Sequence, residues 1–156
     1  MTLRAARLAE SAAECDLARA LLREYAASLD VDLCFQGFEQ ELQQLDSQYA
    51  APHGAFLLAE QGGAAIGCVG LRRHAEGVGE LKRLYVQPAG RGQGLGRLLA
   101  QAMLAEARRL GYQRVVLDTL PTMHEARALY ESLGFQPTTA YRLNPVEGTV
   151  YLELVM

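Results

Sequence analysis

Leu84-Tyr85-Val86-Gln87-Pro88-Ala89-Gly90-Arg91-Gly92-Gln93-Gly94-Leu95-Gly96-Arg97 is the stretch on which the reading of this 156-residue chain turns. An apolar strand, Glu80 to Val86, runs into a turn with glycine at alternate positions. Leu95, Leu98, Leu99, Ala102 and Met103 then share one face of a helix that Gly111 stops. Alternate glycines remove Cβ atoms where the backbone must approach something closely. The helix they open presents unpaired N–H groups and a positive dipole end. Such a turn suits a phosphate.

The flanks supply a mixed α/β pattern. Thr2 to Leu8 reads as a first strand, and Ser11 with Glu14 makes a capping box before a helix whose face carries Leu17, Leu21, Leu22, Tyr25 and Leu29. Phe38 to Leu45 resumes helical spacing after an irregular, apolar stretch from Val31 to Gly37. Ala55 to Ala59 and Ile66 to Leu71, joined by Gln61-Gly62-Gly63, form an antiparallel hairpin that the strand from Glu80 extends into a meander. Downstream, Val115-Val116-Leu117 has the β-branched character of a strand buried on both faces, and the helix before it implies a parallel crossover. Ala126, Leu129, Tyr130 and Leu133 mark a second amphipathic helix stopped at Gly134. Phe135 to Leu143 and Thr149 to Met156 are the expected closing strands.

Composition bounds the function. The length fits one domain, since domains commonly run to roughly 100–200 residues. Hydrophobic residues at 50% and charged residues at 21% are globular values, and a net charge of −3 gives no reason to expect a nucleic-acid or membrane partner. Cys15, Cys34 and Cys68 lack C-x-x-C spacing, which favours a reducing, cytoplasmic setting. No signal peptide or spanning run is expected, and no histidine pair has metal-ligand spacing, so no metal is expected either.

Spacing separates the phosphate-binding readings of the loop. A nucleotide-hydrolysing loop ends in Gly-Lys-Ser/Thr, whereas Gly96 is followed by Arg97. A dinucleotide fingerprint opens a first βαβ unit with a different glycine pattern. The residues instead resemble the GNAT superfamily of N-acetyltransferases. Arg91 through Gly96 matches its Q/R-x-x-G-x-G/A acetyl-CoA motif, and Leu84 to Pro88 looks like the strand leading into it. Ala126 with Leu129-Tyr130-Glu131-Ser132-Leu133-Gly134-Phe135 resembles the later helix and its Gly-Phe exit. The element order agrees over nearly the whole chain.

The resemblance implies a single domain over 1–156 with a mixed, mostly antiparallel central sheet of about seven strands and about four flanking helices. It implies acetyl-CoA as acyl donor, with the pyrophosphate on main-chain N–H groups of Arg91, Gly92, Gln93, Gly94, Leu95, Gly96 and Arg97. Leu84, Tyr85 and Val86 would pair their backbone with the pantetheine arm where the strand splays at a bulge. Glu80 stands where some family members carry a catalytic glutamate, and Tyr130 matches the tyrosine that serves many as general acid. Glu80 reads equally as a surface charge paired with Lys82, and Tyr130 at helical spacing could be core. Met123 occupies the place where the family often has a coenzyme-contacting asparagine, and His124 beside it reads as solvent-facing.

The chemistry asks for such groups. An amine with pKa ~10.4 is neutral about once in 10³ molecules at pH 7, a deficit of roughly 4–5 kcal/mol that a base must relieve, and the leaving thiolate needs a proton donor. The acceptor is expected opposite the coenzyme. Leu33, Cys34, Phe35 and Phe38 would lie on one side of it and Tyr141, Arg142 and Asn144 on the other, with Phe35 and Tyr141 as the substrate contacts. Phe35 and Phe38 could equally pin their loop to the core. Arg72-Arg73 and Lys82-Arg83 are expected on solvated faces or as charges that attract the coenzyme's phosphates. The expected partner is a small-molecule amine or amino-acid derivative, with a protein N-terminus or lysine as the alternative and the oligomeric state open to a homodimer. A non-catalytic acyl-CoA sensor is the competing class.

Overall fold

Ser11 starts the first long element, because its hydroxyl accepts the Glu14 N–H at 3.1 Å and α1 then runs Ala12–Ser28. The computed structural model describes residues 7–29, 37–142 and 144–156. Cys15, Ala18, Leu21 and Leu22 form the buried face of α1. Leu17, expected on that stripe, is 43% exposed, so the stripe sits one position round the helix. The second helical stretch is not continuous. Gln44, at φ −108 and ψ 22, breaks it into α2 (Phe38–Gln43) and α3 (Leu45–Gln48), which brings the α-helices among the described residues to five where about four were expected.

A two-residue turn joins β2 (Ala55–Gln61) to β3 (Ala64–Ala75) with Gly62 and Gly63 both at positive φ, the turn whose twist matches that of the strands. β4 (Val78–Val86) completes the meander, starting earlier than expected and placing Glu80 inside the strand. A 3-10 turn at Pro88–Gly90 leads through the glycine loop into α4 (Leu95–Arg109). Then come β5 (Arg114–Thr119), α5 (His124–Ser132), β6 (Gln136–Pro137) and β7 (Val150–Val155); the first strand is described as β1 over Arg7–Leu8, and the rest of the expected Thr2 to Leu8 lies outside the described residues. The closing strand expected over Phe135 to Leu143 is only two residues long. Pro137 cannot donate to the ladder, and beyond Thr138 the chain leaves the sheet.

The strands join one mixed sheet in the order β1-β2-β3-β4-β5-β7-β6, and β4–β5 is its one parallel pairing among the described residues. Both faces are covered. Ala55, Leu57, Val69, Leu99, Met103 and Val115 belong to the core beneath α4; Leu22, Leu42, Phe56, Leu58, Cys68 and Tyr85 belong to the core beneath α1 to α3. β2 alternates between the two cores, which explains its unbroken burial.

Two features of β4 create the site. The pairing with β5 stops at Glu80↔Val116, so the edge from Leu81 to Val86 that faces β5 has no partner strand. On the other edge Cys68 pairs Tyr85 while Gly70 pairs Lys82, which leaves Arg83 and Leu84 opposite Val69 alone. That is a bulge. Arg83 sits there at φ 62, a left-handed conformation costly for a residue with a Cβ.

Candidate active site

The parted strands enclose a narrow cavity of about 50 Å³ whose walls include Lys82, Leu84, Asp118, Met123, Ala126 and Tyr130. It continues at Leu29, Leu120 and Met123 into a wider groove of about 350 Å³ that reaches Arg91. The path joins the unpaired edge of β4 to the glycine loop. Tyr85 packs its ring edge-on to Tyr25 at 5.7 Å, and Tyr25 in turn lines the cavity.

At the loop, Gly92 and Gly94 have φ of 81 and 77, and a Cβ built on either would meet nothing within 4 Å. Their need for glycine is therefore conformational, and the space beside them is open. Gly94 is the N-cap of α4, and the first helical hydrogen bond runs from Leu98 N to Gly94 O. The N–H groups of Leu95, Gly96 and Arg97 consequently have no backbone acceptor among the described residues and face the end of a 15-residue helix. Side chains brace the turn: Arg91 Nε donates to Val86 O at 3.0 Å, Gln61 Nε2 to Gln93 Oε1 at 2.6 Å, and Arg97 Nη2 to Ser132 Oγ at 2.8 Å. An open cradle of free amides with two arginines beside it fits a diphosphate.

Tyr130 is 5% exposed, packs its ring on Phe135 at 5.6 Å, and makes no hydrogen bond through its hydroxyl among the described residues. Burial pushes its pKa up, so it stays protonated. Met123 also lines the cavity, its sulfur 3.7 Å from Thr119 Oγ1, while His124 is exposed.

Glu80 is no surface charge. It is 1% exposed, with Arg72 Nε 3.0 Å from Oε1; around Oε2, Arg142 Nη1 stands at 3.5 Å, Lys82 Nζ at 4.0 Å, and the Tyr141 hydroxyl donates at 2.6 Å. Burial alone would raise its carboxyl, but Lys82, Arg142 and Arg72 outweigh burial and hold it below its ordinary value. A carboxylate so held is a weak base on its own. Lys82 responds in the opposite sense: burial, with Arg83 adding to it, pulls the ammonium down to about 7. This lysine lines the cavity that Tyr130 also lines, and its Nζ stands 4.0 Å from Glu80 Oε2.

Lys82 and Arg83, expected on a solvated face, are 4% and 6% exposed. Arg83 makes a bidentate pair with Glu41 of α2, Nε to Oε2 at 2.9 Å and Nη2 to Oε1 at 3.0 Å, and lies over the Phe38 ring at 5.4 Å. Phe38 is thus a core residue that packs the bulge arginine. Phe35, with Leu33 and Cys34, lies outside the described residues. Glu80 and Tyr141 are brought into direct contact, Tyr130 lines the cavity apart from them, and Asn144 donates to Asp118 at 3.2 Å on the cavity wall. Strand alternation could have flagged Lys82, which shares a face with Glu80; Glu41 had no local signal.

The sheet is thus opened between β4 and β5, with a glycine loop at one end of the opening and a protonated tyrosine inside it. The model of the Acetyltransferase (GNAT) family matches residues 17–135, and the chain belongs to that family. An uncharacterized N-acetyltransferase of Schizosaccharomyces pombe is 41% identical over 87% of this chain and 85% of its own length. One of Escherichia coli is 33% identical over 74% and 72%. An acetyltransferase of Streptococcus agalactiae shares the fold with a TM-score of 0.80 at 23% identity, covering 99% of this chain and 98% of that one. An acetyltransferase of Salmonella typhimurium, solved with its cofactor acetyl-CoA, superposes with a TM-score of 0.71 at 23% identity over 99% and 94%. The protein is an acyltransferase. Among the described residues no helix is long and apolar enough to cross a membrane.

Proposed function

We propose that the protein transfers the acetyl group of acetyl-CoA to the primary amine of a small molecule or amino-acid derivative, by direct attack in a ternary complex. The observation that carries this reading is the adjoining groove and cavity, with shared walls at Leu29, Leu120 and Met123, that run from Arg91 to Tyr130 and Lys82 beside the unpaired edge of β4. Acetyl-CoA supplies the activated thioester. Main-chain N–H groups from Gly92 to Arg97 hold the diphosphate, with Arg91 and Arg97 adding charge, and the β4 edge from Leu84 to Val86 offers backbone groups to the pantetheine amides.

On the acceptor side, buried Glu80 holds Lys82 at the wall of the cavity, 4.0 Å from its own Oε2. Lys82, balanced near neutrality at about 7, takes the proton; the Glu80–Lys82 pair therefore acts as one proton-accepting unit. The freed amine attacks the thioester carbonyl, and Tyr130, protonated and without another hydrogen-bond acceptor, gives a proton to the departing thiolate. Tyr141 holds Glu80 in position and closes the acceptor side.

Release of free CoA, followed with a thiol reagent over a panel of small amines, peptides and a lysine-bearing protein, tests the reading. Turnover with small amines is the expected result. Turnover only with peptide or protein moves the acceptor to a macromolecule, and tight acetyl-CoA binding without any turnover makes the protein a sensor.

A further inference from the structure

A second cleft of about 440 Å³, open to solvent, has Glu80 in its wall and shares no lining residue with the donor cavity. Its walls include Gln48 of α3, Arg72, Arg73 and His74 of β3, Glu80, and Arg142 from the segment before β7. Three guanidiniums thus converge where the described walls carry one carboxylate. That carboxylate is already engaged, by Arg72 at 3.0 Å and the Tyr141 hydroxyl at 2.6 Å. Arg142 Nη1 is buried 3.5 Å from Glu80 and makes no hydrogen bond among the described residues, and Arg73 has no ion pair among them. Beside that buried nitrogen the Arg142 side chain keeps 25% of its surface exposed, Arg73 is exposed, and the planar fork of arginine is matched by a carboxylate. The volume suits a small molecule.

Resting on the reading of the protein as an amine acetyltransferase, we propose that this cleft binds a carboxylate of the acetyl acceptor, so that the acceptors are small amino-carboxylates. Arg142 and Arg73 receive the carboxylate, and Arg72 holds Glu80 beside them. The carboxylate thereby anchors the acceptor beside the Glu80–Lys82 pair, whose lysine lines the donor cavity. A diamine or uncharged amine would leave the guanidiniums without an acceptor.

The test uses the common L- and D-amino acids, β-alanine and 4-aminobutyrate, each beside its carboxamide, with CoA release read for every pair. The free acid of at least one pair is expected to exceed its amide at least tenfold in kcat/KM. That acid-to-amide ratio should fall at least fivefold in Arg142→Gln and in Arg73→Gln and recover in part in the lysine variants. Because both members of a pair report on the same enzyme, a general loss of activity does not mimic the effect. Amides acetylated as well as acids, or a ratio unmoved by either substitution, overturns the carboxylate site and leaves the acetyltransferase reading standing. Should no amine turn over, the acetyltransferase reading fails by itself. Calorimetry of the same pairs on CoA-loaded protein then decides the cleft, where equal binding of acid and amide overturns it.

Discussion

The Tyr141 hydroxyl donates to Glu80 Oε2 at 2.6 Å, which ties the loop before β7 to the first half of the central strand. Burial and the adjoining Glu80 charge both push the phenol upward, so it remains a donor across the working range. Tyr141→Phe leaves a buried carboxylate oxygen one donor short, with the cations at 3.5 and 4.0 Å as its remaining neighbours. The expected cost is about 1–3 kcal/mol of stability in urea unfolding. The acceptor KM should rise while acetyl-CoA affinity holds; an unchanged acceptor KM would separate Tyr141 from the site.

Tyr130 invites a cleaner kinetic test. Its ring stays packed on Phe135 in Tyr130→Phe, so the fold and the coenzyme groove should survive. Loss of a proton donor to a thiolate is expected to lower kcat by roughly 10²-fold or more, with acetyl-CoA affinity nearly intact. Wild-type kcat in the variant would make Tyr130 a plain core residue.

Two substitutions at one glycine separate strain from charge. Gly94 requires positive φ in open space, and asparagine tolerates that conformation better than other residues do. Gly94→Asn should keep measurable acetyl-CoA binding. Gly94→Asp, equally small, sets a carboxylate against the diphosphate and should abolish binding by calorimetry. Equal affinities in the two variants would mean that no anion sits at the loop.

The elements were legible wherever local chemistry dictates them. The Ser11 cap, the Gly62-Gly63 turn and the alternate glycines after β4 each impose one backbone geometry, and the apolar stripe from Leu95 to Met103 leaves α4 one face to bury. The GNAT motifs then ordered those elements. Long-range electrostatics stayed hidden. Arg83 looked solvated because its partner Glu41 lies 42 residues away, and the bulge that holds it in a left-handed conformation has no glycine to announce it. Likewise Glu80 as lone base followed from the family pattern, whereas Arg72 and Arg142 converge on it from separate segments and change its basicity.

The Glu41–Arg83 pair is accordingly a stability determinant as well as the clamp on the bulge. Burial raises Glu41, but the Arg83 hydrogen bonds and charge outweigh it and hold the carboxyl below its ordinary value. Glu41→Gln removes the charge that a buried guanidinium needs, and a broken buried pair typically costs about 3–5 kcal/mol. A much smaller loss in chemical denaturation would show that the bulge is held by the surrounding core instead. With the folded value depressed, this contribution is present above the unfolded value and is lost as pH falls through the folded one.

Lys82 gives the opposite signature. Its folded value, about 7, lies below its ordinary 10.5, so between those limits the unfolded chain binds more protons and stability rises with pH. Below about pH 7 both states are protonated and the lysine adds no slope. Lys82→Met removes the titration without emptying the site of its apolar stem. Subtracting the variant's unfolding free energy from that of the wild type at each pH cancels the buried thiols and phenols that also titrate. The difference should move in favour of the wild type by about 2 kcal/mol between pH 7 and 9. In the same variant kcat should fall, and any limb of the kcat profile near neutrality should vanish. A flat stability difference over that interval would return Lys82 to an ordinary ammonium and remove it as the proton acceptor.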